Sequence, residues 1–202
     1  QRLAFDEILA NIIMVRSLKK KTRINKFLIS STTLSKKIID QLSFKLTNDQ
    51  KACLNDIHND LKRKKMFRLL QGDVGSGKTI VALLSIAEVI HSGYQAVLMA
   101  PSEILVKQHF KYFVDILQPY NIKIKFLTSK ISDQEKKNIY NDLKKKKIDL
   151  LIGTHSLLNE KINFNDLGLT IIDEQHKFGV NQRLRLQKKS IDSHILVLSA
   201  TP

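Results

Sequence analysis

The sequence predicts an α/β domain with a mostly parallel sheet and helices on both faces. Short, fully apolar runs such as AVLMA at 96–100 and LTIID at 169–173 are typical of strands buried on both faces. Longer segments with apolar residues at helical spacing, such as 79–93 and 102–117, alternate with these runs. A glycine-rich stretch, GDVGSGKT at 72–79, joins one predicted strand to one predicted helix. Strands that alternate with helices favour a parallel sheet.

The first 45 residues are predicted to be a helical linker or attachment segment. Residues 1–18 carry apolar groups at helical spacing, a basic Ser/Thr-rich stretch follows at 19–35, and a second short helix is expected at 35–42. We therefore expect the α/β domain to occupy residues 46–202. The chain begins without Met and stops at SATP, which indicates a piece of a longer protein.

The elements of the domain follow from local patterns. Thr47 is expected to cap the first helix and Ser132 the last one. The predicted helices are 48–62, 79–93, 102–117 and 132–145, and the predicted strands are 67–71, 96–100, 122–128, 148–154, 169–173 and 194–200.

Composition narrows the class of protein without identifying a ligand. The net charge of +15 permits a nucleic-acid partner, although the excess of lysine also fits a solvated surface, and KKKK at 144–147 is interpreted as a helix end. No apolar run reaches eighteen residues, so no membrane contact is expected. The single cysteine, Cys53, excludes a disulfide framework, and we expect a cytoplasmic protein.

The stretch at 72–79 predicts a phosphate-binding loop. It satisfies G-x-x-x-x-G-K-[ST] and has the strand before it and the helix after it that the motif requires. Glycines let consecutive N–H groups point at phosphate oxygens, and the helix adds the positive end of its dipole. Lys78 is predicted to reach the β and γ phosphates, and Thr79 to ligate Mg²⁺. The predicted ATP-binding residues of the loop are Gly72, Asp73, Val74, Gly75, Ser76, Gly77, Lys78 and Thr79.

A second motif, LTIIDEQH at 169–176, supplies carboxylates for hydrolysis. Asp173 ends an apolar strand, at the edge of a parallel sheet where ligands bind, and is predicted to hold Mg²⁺. Glu174 is placed to accept a proton from the attacking water. His176 follows three residues after Asp173 and suits a relay between the nucleotide and another ligand.

These motifs resemble, in their order, those of the superfamily 2 helicases and translocases. The further matches are FKLTNDQ at 44–50, APSEIL at 100–105, LTS at 127–129, GTH at 153–155 and SAT at 199–201. The chain resembles the RecG family of bacterial branch-migrating DNA helicases over nearly its whole length. The segments that carry this resemblance are GDVGSGKT, APSEILVKQH, GTHSLL, DEQHKFGVNQR and SATP. The Mfd transcription-repair coupling family is similar in most of these motifs, and the order Gln175-His176 favours RecG.

The resemblance implies the first RecA-like motor lobe of such a helicase, without the wedge domain and the second lobe. It implies catalytic roles for Lys78, Asp173 and Glu174, with ATP and Mg²⁺ as cofactors. Gln50 would read the adenine edge, and Phe44 would pack on the adenine ring. Residues implied to contact the DNA backbone are Pro101, Ser102, Thr128, Thr154 and His155. Residues implied to couple the two sites are His176, Ser199 and Thr201.

The implied partner is branched DNA, namely forks and four-way junctions, for a monomer that also contacts single-strand binding protein. Because the arginine fingers of this superfamily lie on the second lobe, we expect the fragment alone to bind ATP weakly and to hydrolyse it slowly. Two alternatives stay open: an Mfd-like translocase, and a nucleotide-dependent DNA-binding switch without motor activity. A metabolic kinase would not explain the APSEIL, GTH and SAT elements.

Overall fold

One sheet of six parallel strands organises the structure, a computed structural model that describes residues 32–63, 66–174 and 193–200. The strand order is β1-β6-β5-β2-β4-β3, and every neighbouring pair is parallel. The strands are β1 (Phe67–Gln71), β2 (Gln95–Met99), β3 (Ile124–Leu127), β4 (Leu150–Gly153), β5 (Leu167–Asp173) and β6 (His194–Ser199).

Five α-helices accompany the sheet in the described part of the chain. They are α1 (Thr33–Gln41), α2 (Asn48–Arg63), α3 (Lys78–His91), α4 (Glu103–Leu117) and α5 (Asp133–Lys144). Two short 3₁₀ helices, Gln118–Tyr120 and His155–Leu158, follow α4 and β4.

Apolar side chains cover both faces of the sheet. Neighbouring residues of a strand point to opposite faces, and in β2 Leu98 joins one hydrophobic cluster while Met99 joins the other. The first cluster includes Leu83 of α3, and the second includes Leu143 of α5. Helices therefore bury both faces, as the sequence predicted.

Side-chain caps mark the starts of α2 and α5. The Ser132 hydroxyl accepts a hydrogen bond from Glu135 N at 3.3 Å, which confirms the predicted cap of α5. At α2, Thr47 Oγ1 accepts from Gln50 N at 3.2 Å while Gln50 Oε1 accepts from Thr47 N at 3.0 Å. This reciprocal pair is a capping box, and it confirms Thr47 as the cap.

All six predicted strands are present, and their ends differ from the predicted ones by two residues at most. The helix predicted at 1–18 lies outside the described residues. Leu34 and Ile38 of α1 are buried in the same cluster as α3, while the division of the chain at residue 45 stays a prediction. In the described ranges, no helix is long and apolar enough to cross a membrane.

The strand order divides the sheet edge into two halves. Because all strands are parallel, their carboxyl ends lie at one edge, where ligands bind in open α/β sheets. The strands β1, β6 and β5 form one half, and β2, β4 and β3 form the other. The glycine-rich loop and Asp173 belong to the first half, whereas the APSEIL, LTS and GTH motifs follow the strands of the second.

Candidate nucleotide site and the adjoining strand edge

The glycine-rich loop joins β1 to α3 with two residues in the left-handed backbone region. Gly75 has φ of 84° and Gly77 has φ of 80°, a region that residues with a Cβ rarely adopt. A Cβ at Gly77 would also collide with the side-chain amide of Gln50. Glycine is therefore required at Gly77 both by the backbone and by its neighbour.

Lys78 directs its ammonium group back over this loop. Its Nζ donates hydrogen bonds to the carbonyl oxygens of Gly72 at 2.5 Å and Asp73 at 2.8 Å. Lys78 is also the first residue of α3, so the positive end of the helix dipole adds to its charge. The half-buried Thr79 follows it. The loop, called the cradle below, thus has the Lys78 ammonium and the positive end of the helix dipole beside it.

Gln50 links the start of α2 to the same loop. Its Nε2 donates to the Ser76 carbonyl at 2.9 Å, while its Oε1 belongs to the capping box with Thr47. The amide that was predicted to read adenine is therefore bonded within the protein at both ends. Phe44 lies nearby in sequence with 46% of its surface exposed, so its ring is accessible.

Strand β6 lies between the loop and the carboxylates. Gly72 N donates to the Ser199 carbonyl at 3.2 Å, and Glu174 N donates to the Leu198 carbonyl at 3.0 Å. Since adjacent strands are about 4.8 Å apart, the ends of β1 and β5 are separated by about 10 Å. Strand β6 fills this interval, so a ligand that contacts both the loop and the carboxylates would lie beyond the carboxyl end of β6. His176 and Thr201, the other predicted coupling residues, lie outside the described residues.

Asp173 ends β5 and contacts a residue that the sequence did not identify as functional. Asp173 Oδ2 lies 2.9 Å from Nε2 of His109, with side-chain exposures of 13% and 10%. His109 belongs to α4, where its ring packs edge-on against Phe113 at a centroid distance of 6.2 Å. The sequence does contain one indication that His109 is unusual. It is a polar residue on the apolar face of the helix, between Val106 and Phe113.

Glu174 turns the chain away from β5 in a left-handed backbone conformation. Its φ is 54°, which is uncommon for a residue other than glycine. Such backbone strain concentrates at functional sites because the surrounding structure must enforce it.

The predicted DNA-contacting residues lie at the ends of β2, β3 and β4 but differ in exposure. Thr128 and Thr154 are each only 3% exposed, whereas His155 is exposed. Pro101 and Ser102 are half-buried, and the Ser102 hydroxyl accepts from Leu105 N at 3.3 Å as the cap of α4. The structure therefore gathers all five at one edge, with the two threonine side chains turned inward.

A basic cleft of about 900 Å³ adjoins these residues. Sequence reasoning missed its α5 side, which supplies Lys136, Lys137 and Tyr140. On the opposite side lie His155 and Lys161. The adjacent lysines Lys136 and Lys137 were the available signal, but lysine pairs occur throughout this sequence.

Two buried polar groups lie away from this edge. Burial, and then the positive charge of Lys62, lowers the pKa of His58 to about 4. Burial raises the pKa of Glu88, whose Oε1 accepts a hydrogen bond from Ser35 N at 2.8 Å. Both groups belong to the packing of α1, α2 and α3.

The donor set fits a nucleotide with Mg²⁺. Thr79 offers one hydroxyl and Asp173 one carboxylate, and Mg²⁺ typically takes one or two protein oxygens, with phosphates and waters completing the octahedron. In residues 32–63, 66–174 and 193–200, no group of three or more His, Cys, Asp or Glu could hold a metal ion. In such a site the phosphates of the nucleotide and water molecules would supply the remaining ligands.

Comparisons with known proteins agree with this geometry. The DEAD/DEAH box helicase family matches residues 47–202. The chain is 44% identical to the ATP-dependent DNA helicase RecG of Aquifex aeolicus, with 100% of this chain and 26% of that protein covered. Identity to the RecG of Thermotoga maritima is 40%, with the same coverage. The chain thus spans about a quarter of the length of these relatives.

Two solved structures resemble the fold. The structure of RecG bound to a three-way DNA junction superposes with a TM-score of 0.79 at 40% identity, over 94% of this chain and 25% of that one. The UvsW helicase from bacteriophage T4 gives a TM-score of 0.63 over 89% of this chain and 62% of that one. Its identity is 15%, so this second likeness shows the fold alone.

Proposed function

Because the chain belongs to the DEAD/DEAH box helicase family, we propose that it is the first RecA-like motor lobe of a RecG-type helicase. The proposed activity is ATP hydrolysis that drives the remodelling of branched DNA, such as stalled forks and four-way junctions, in recombination and repair. The observation that carries the proposal is the arrangement around β6, which holds the glycine-rich loop on one side and Asp173 with Glu174 on the other. The division at residue 45, with a linker before the lobe, is part of the proposal.

The residues of the cradle would bind the phosphates of ATP. Backbone amides of the loop, apart from Gly72 N and Ser76 N, which bond to the Ser199 and Asp73 carbonyls, would face the phosphates together with the ammonium of Lys78. Phe44 would pack on the base. Gln50 reaches the base only if its amide leaves the Ser76 carbonyl, so in this arrangement it acts through the loop. Thr79 and Asp173 would hold Mg²⁺, which neutralises charge that develops on the phosphates.

Glu174 is the proposed general base. It lies next to Asp173 on the turn after β5, and its backbone is tied to β6 through the Leu198 carbonyl. A carboxylate in this position accepts a proton from the water that attacks the γ-phosphate. Ser199, whose carbonyl holds the start of the loop, would couple this site to DNA together with His176 and Thr201.

The second half of the edge is the proposed DNA track. Pro101, Ser102 and His155 are accessible there, and Thr128 and Thr154 shape the backbone beneath them. Contacts of this kind bind the phosphate backbone and position DNA without reading its sequence. The junction-bound RecG structure, similar over 94% of this chain, supports branched DNA as the substrate, and single-strand binding protein is a further proposed partner of the monomer.

ATP turnover by the full-length protein, with and without a synthetic fork, tests this proposal. We expect strong stimulation by the fork, and a loss of about 10²–10⁴-fold in Glu174→Gln. Glu160→Gln, which changes an exposed carboxylate outside the site, serves as the control and should behave like the wild type. Turnover that does not respond to DNA would contradict the motor and favour the nucleotide-dependent switch.

A further inference from the structure

His109 and Asp173 form a contact that joins the two halves of the sheet edge. The two residues are 64 positions apart, and the distance from His109 Nε2 to Asp173 Oδ2 is 2.9 Å. Both side chains are largely buried, with exposures of 10% and 13%. In such surroundings a hydrogen bond is stronger than in water, and water competes for it poorly.

The contact uses one of the two carboxylate oxygens of Asp173. With Oδ2 bonded to the imidazole, Oδ1 is the oxygen that is left to face a metal ion or its water. A carboxylate rotates about its Cβ–Cγ bond unless another group holds it. The hydrogen bond from His109 therefore selects one orientation of the Asp173 carboxylate. Hydrogen bonds that hold metal-ligating carboxylates in this way typically contribute 10- to 100-fold to metal affinity or activity.

The imidazole itself is well fixed. His109 lies on the buried face of α4, one turn after Val106 and one turn before Phe113, whose ring meets it edge-on. The helix is anchored at its start by the Ser102 cap. The ring is therefore held by a helix whose other buried side chains all belong to the hydrophobic core.

We propose that His109 is a positioning residue for Asp173, and that its Nε2–H holds the carboxylate in the orientation that receives Mg²⁺. The proposal rests on the function proposed above, because it assumes that Asp173 is the metal carboxylate. Helix α4 begins at the second half of the sheet edge. The proposal gives it a role in the first half, where the glycine-rich loop and Asp173 lie.

Two variants of the full-length protein separate the hydrogen bond from packing. His109→Leu fills the same space without a donor, whereas His109→Gln can place its amide nitrogen near the position of Nε2. The affinity for Mn²⁺, measured by electron paramagnetic resonance in the presence of ADP, is the readout. We expect a loss of about 10- to 100-fold in His109→Leu and near wild-type affinity in His109→Gln.

Binding of a fluorescent ADP analogue in EDTA separates failure of this inference from failure of the proposed function. We expect all variants to bind the analogue without metal as the wild type does, because the loop is unchanged. If the wild type does not bind the analogue, the proposed function fails and the role of His109 fails with it. If all bind it and His109→Leu keeps wild-type Mn²⁺ affinity, only the role of His109 is overturned.

A double-mutant cycle with Asp173→Asn tests whether His109 acts through Asp173. If His109 acts through Asp173, then His109→Leu has no further effect on Mn²⁺ affinity in the Asp173→Asn background. Additive losses would overturn the proposal.

Should His109→Leu fail to fold by circular dichroism, His109→Asn replaces it, because its shorter amide cannot reach Oδ2. Wild-type affinity in His109→Asn would also overturn the proposal.

Discussion

Lys78 shows at the scale of one residue how the loop is prepared for an anion. Its ammonium is already held inside the loop by the carbonyl oxygens of Gly72 and Asp73, so its long side chain has lost most of its freedom. The positive charge is therefore at the loop before the ligand arrives, and electrostatic groups that are positioned in advance contribute most. Two of the three N–H donors of the ammonium are bonded to these carbonyls, so a phosphate would take the third donor or displace a carbonyl.

Replacing Lys78 by Ala should weaken nucleotide binding and turnover together. We expect turnover to fall by about 10²-fold or more, since removal of one preorganised donor typically costs that much. Titration with a fluorescent ATP analogue measures the affinity, and Lys51→Ala, at an exposed position of α2, is the matched control. An unchanged affinity in Lys78→Ala would argue against a phosphate cradle.

His58 should make stability depend on pH. The unfolded chain protonates this residue near pH 6.5, but the folded chain only near pH 4, because burial disfavours the charged ring. As pH falls from 6.5 to 4 the free energy of unfolding should therefore decrease, by at most about 1.4 kcal/mol per pH unit for this proton. Glu88, with its raised pKa, contributes in the opposite direction.

The variant His58→Leu isolates this contribution. Thermal unfolding at about pH 5 and about pH 7.5 should show a smaller difference in Tm for His58→Leu than for the wild type. The exposed His155 provides the control, and His155→Gln should keep the wild-type difference. An unchanged pH dependence in His58→Leu would show that this proton is not linked to folding.

The sequence predicted those site residues whose chemistry is encoded by neighbours in the chain. Lys78 and Thr79 follow glycines at fixed spacing, and Asp173 with Glu174 ends a strand, so a local pattern was enough to propose them, and their roles stay predictions. The pairing of His109 with Asp173 could not be found in this way, because the two residues are 64 positions apart in the chain. The inward orientation of Thr128 and Thr154 was also inaccessible, because it depends on how two strands end side by side.

At the scale of elements, the ends of β3 and β4 approach each other so closely that only glycine fits. A Cβ at Gly153 would lie 2.5 Å from the Leu127 carbonyl oxygen and 2.8 Å from Leu157 Cγ. The Ser156 hydroxyl donates to the same Leu127 carbonyl at 3.0 Å, so this oxygen cannot retreat without losing a bond.

Gly153→Ala should therefore destabilise the domain. We expect a loss of about 1–3 kcal/mol in the free energy of unfolding, the usual range for overpacking. Urea unfolding measures it, and Lys125→Thr on the exposed side of β3 should change stability by less than about 0.5 kcal/mol. A Gly153→Ala variant as stable as the wild type would mean that the two strand ends can separate freely.

Elements were more predictable than their arrangement. Buried parallel strands have continuous apolar runs, so all six could be predicted. Their order could not, because nothing in a run such as HILVLS tells which strands will flank it. The placement of β6 between β1 and β5 depends on packing across the whole sheet.

At the scale of the whole molecule, the chain is short beside the relatives that it matches. It spans 26% of the length of the Aquifex RecG, and the family resemblance assigns the arginine fingers to a second lobe. A missing arginine finger costs about 10³–10⁵-fold in turnover in related P-loop enzymes. The basic charge of +15 does not replace it, since a diffuse surface field attracts DNA without touching the γ-phosphate.

The chain of 202 residues should therefore hydrolyse ATP at least about 10³-fold more slowly than the full-length protein at saturating fork DNA. A steady-state phosphate-release assay on both proteins measures the ratio. Full-length Glu174→Gln sets the background rate of the assay. Brisk DNA-stimulated turnover by the shorter chain would place all catalytic groups within it.

The position of β6 also affects when the nucleotide site can assemble during synthesis. The loop and Asp173 leave the ribosome before residues 194–199, yet among the described strands β6 alone bridges β1 and β5. Contacts between residues so distant in sequence form late and slowly. A nascent chain that stops short of β6 would hold its phosphate loop and its carboxylates apart. Metal-dependent binding of ATP, which needs the loop and Asp173 together, would then report that the strands of this sheet have assembled.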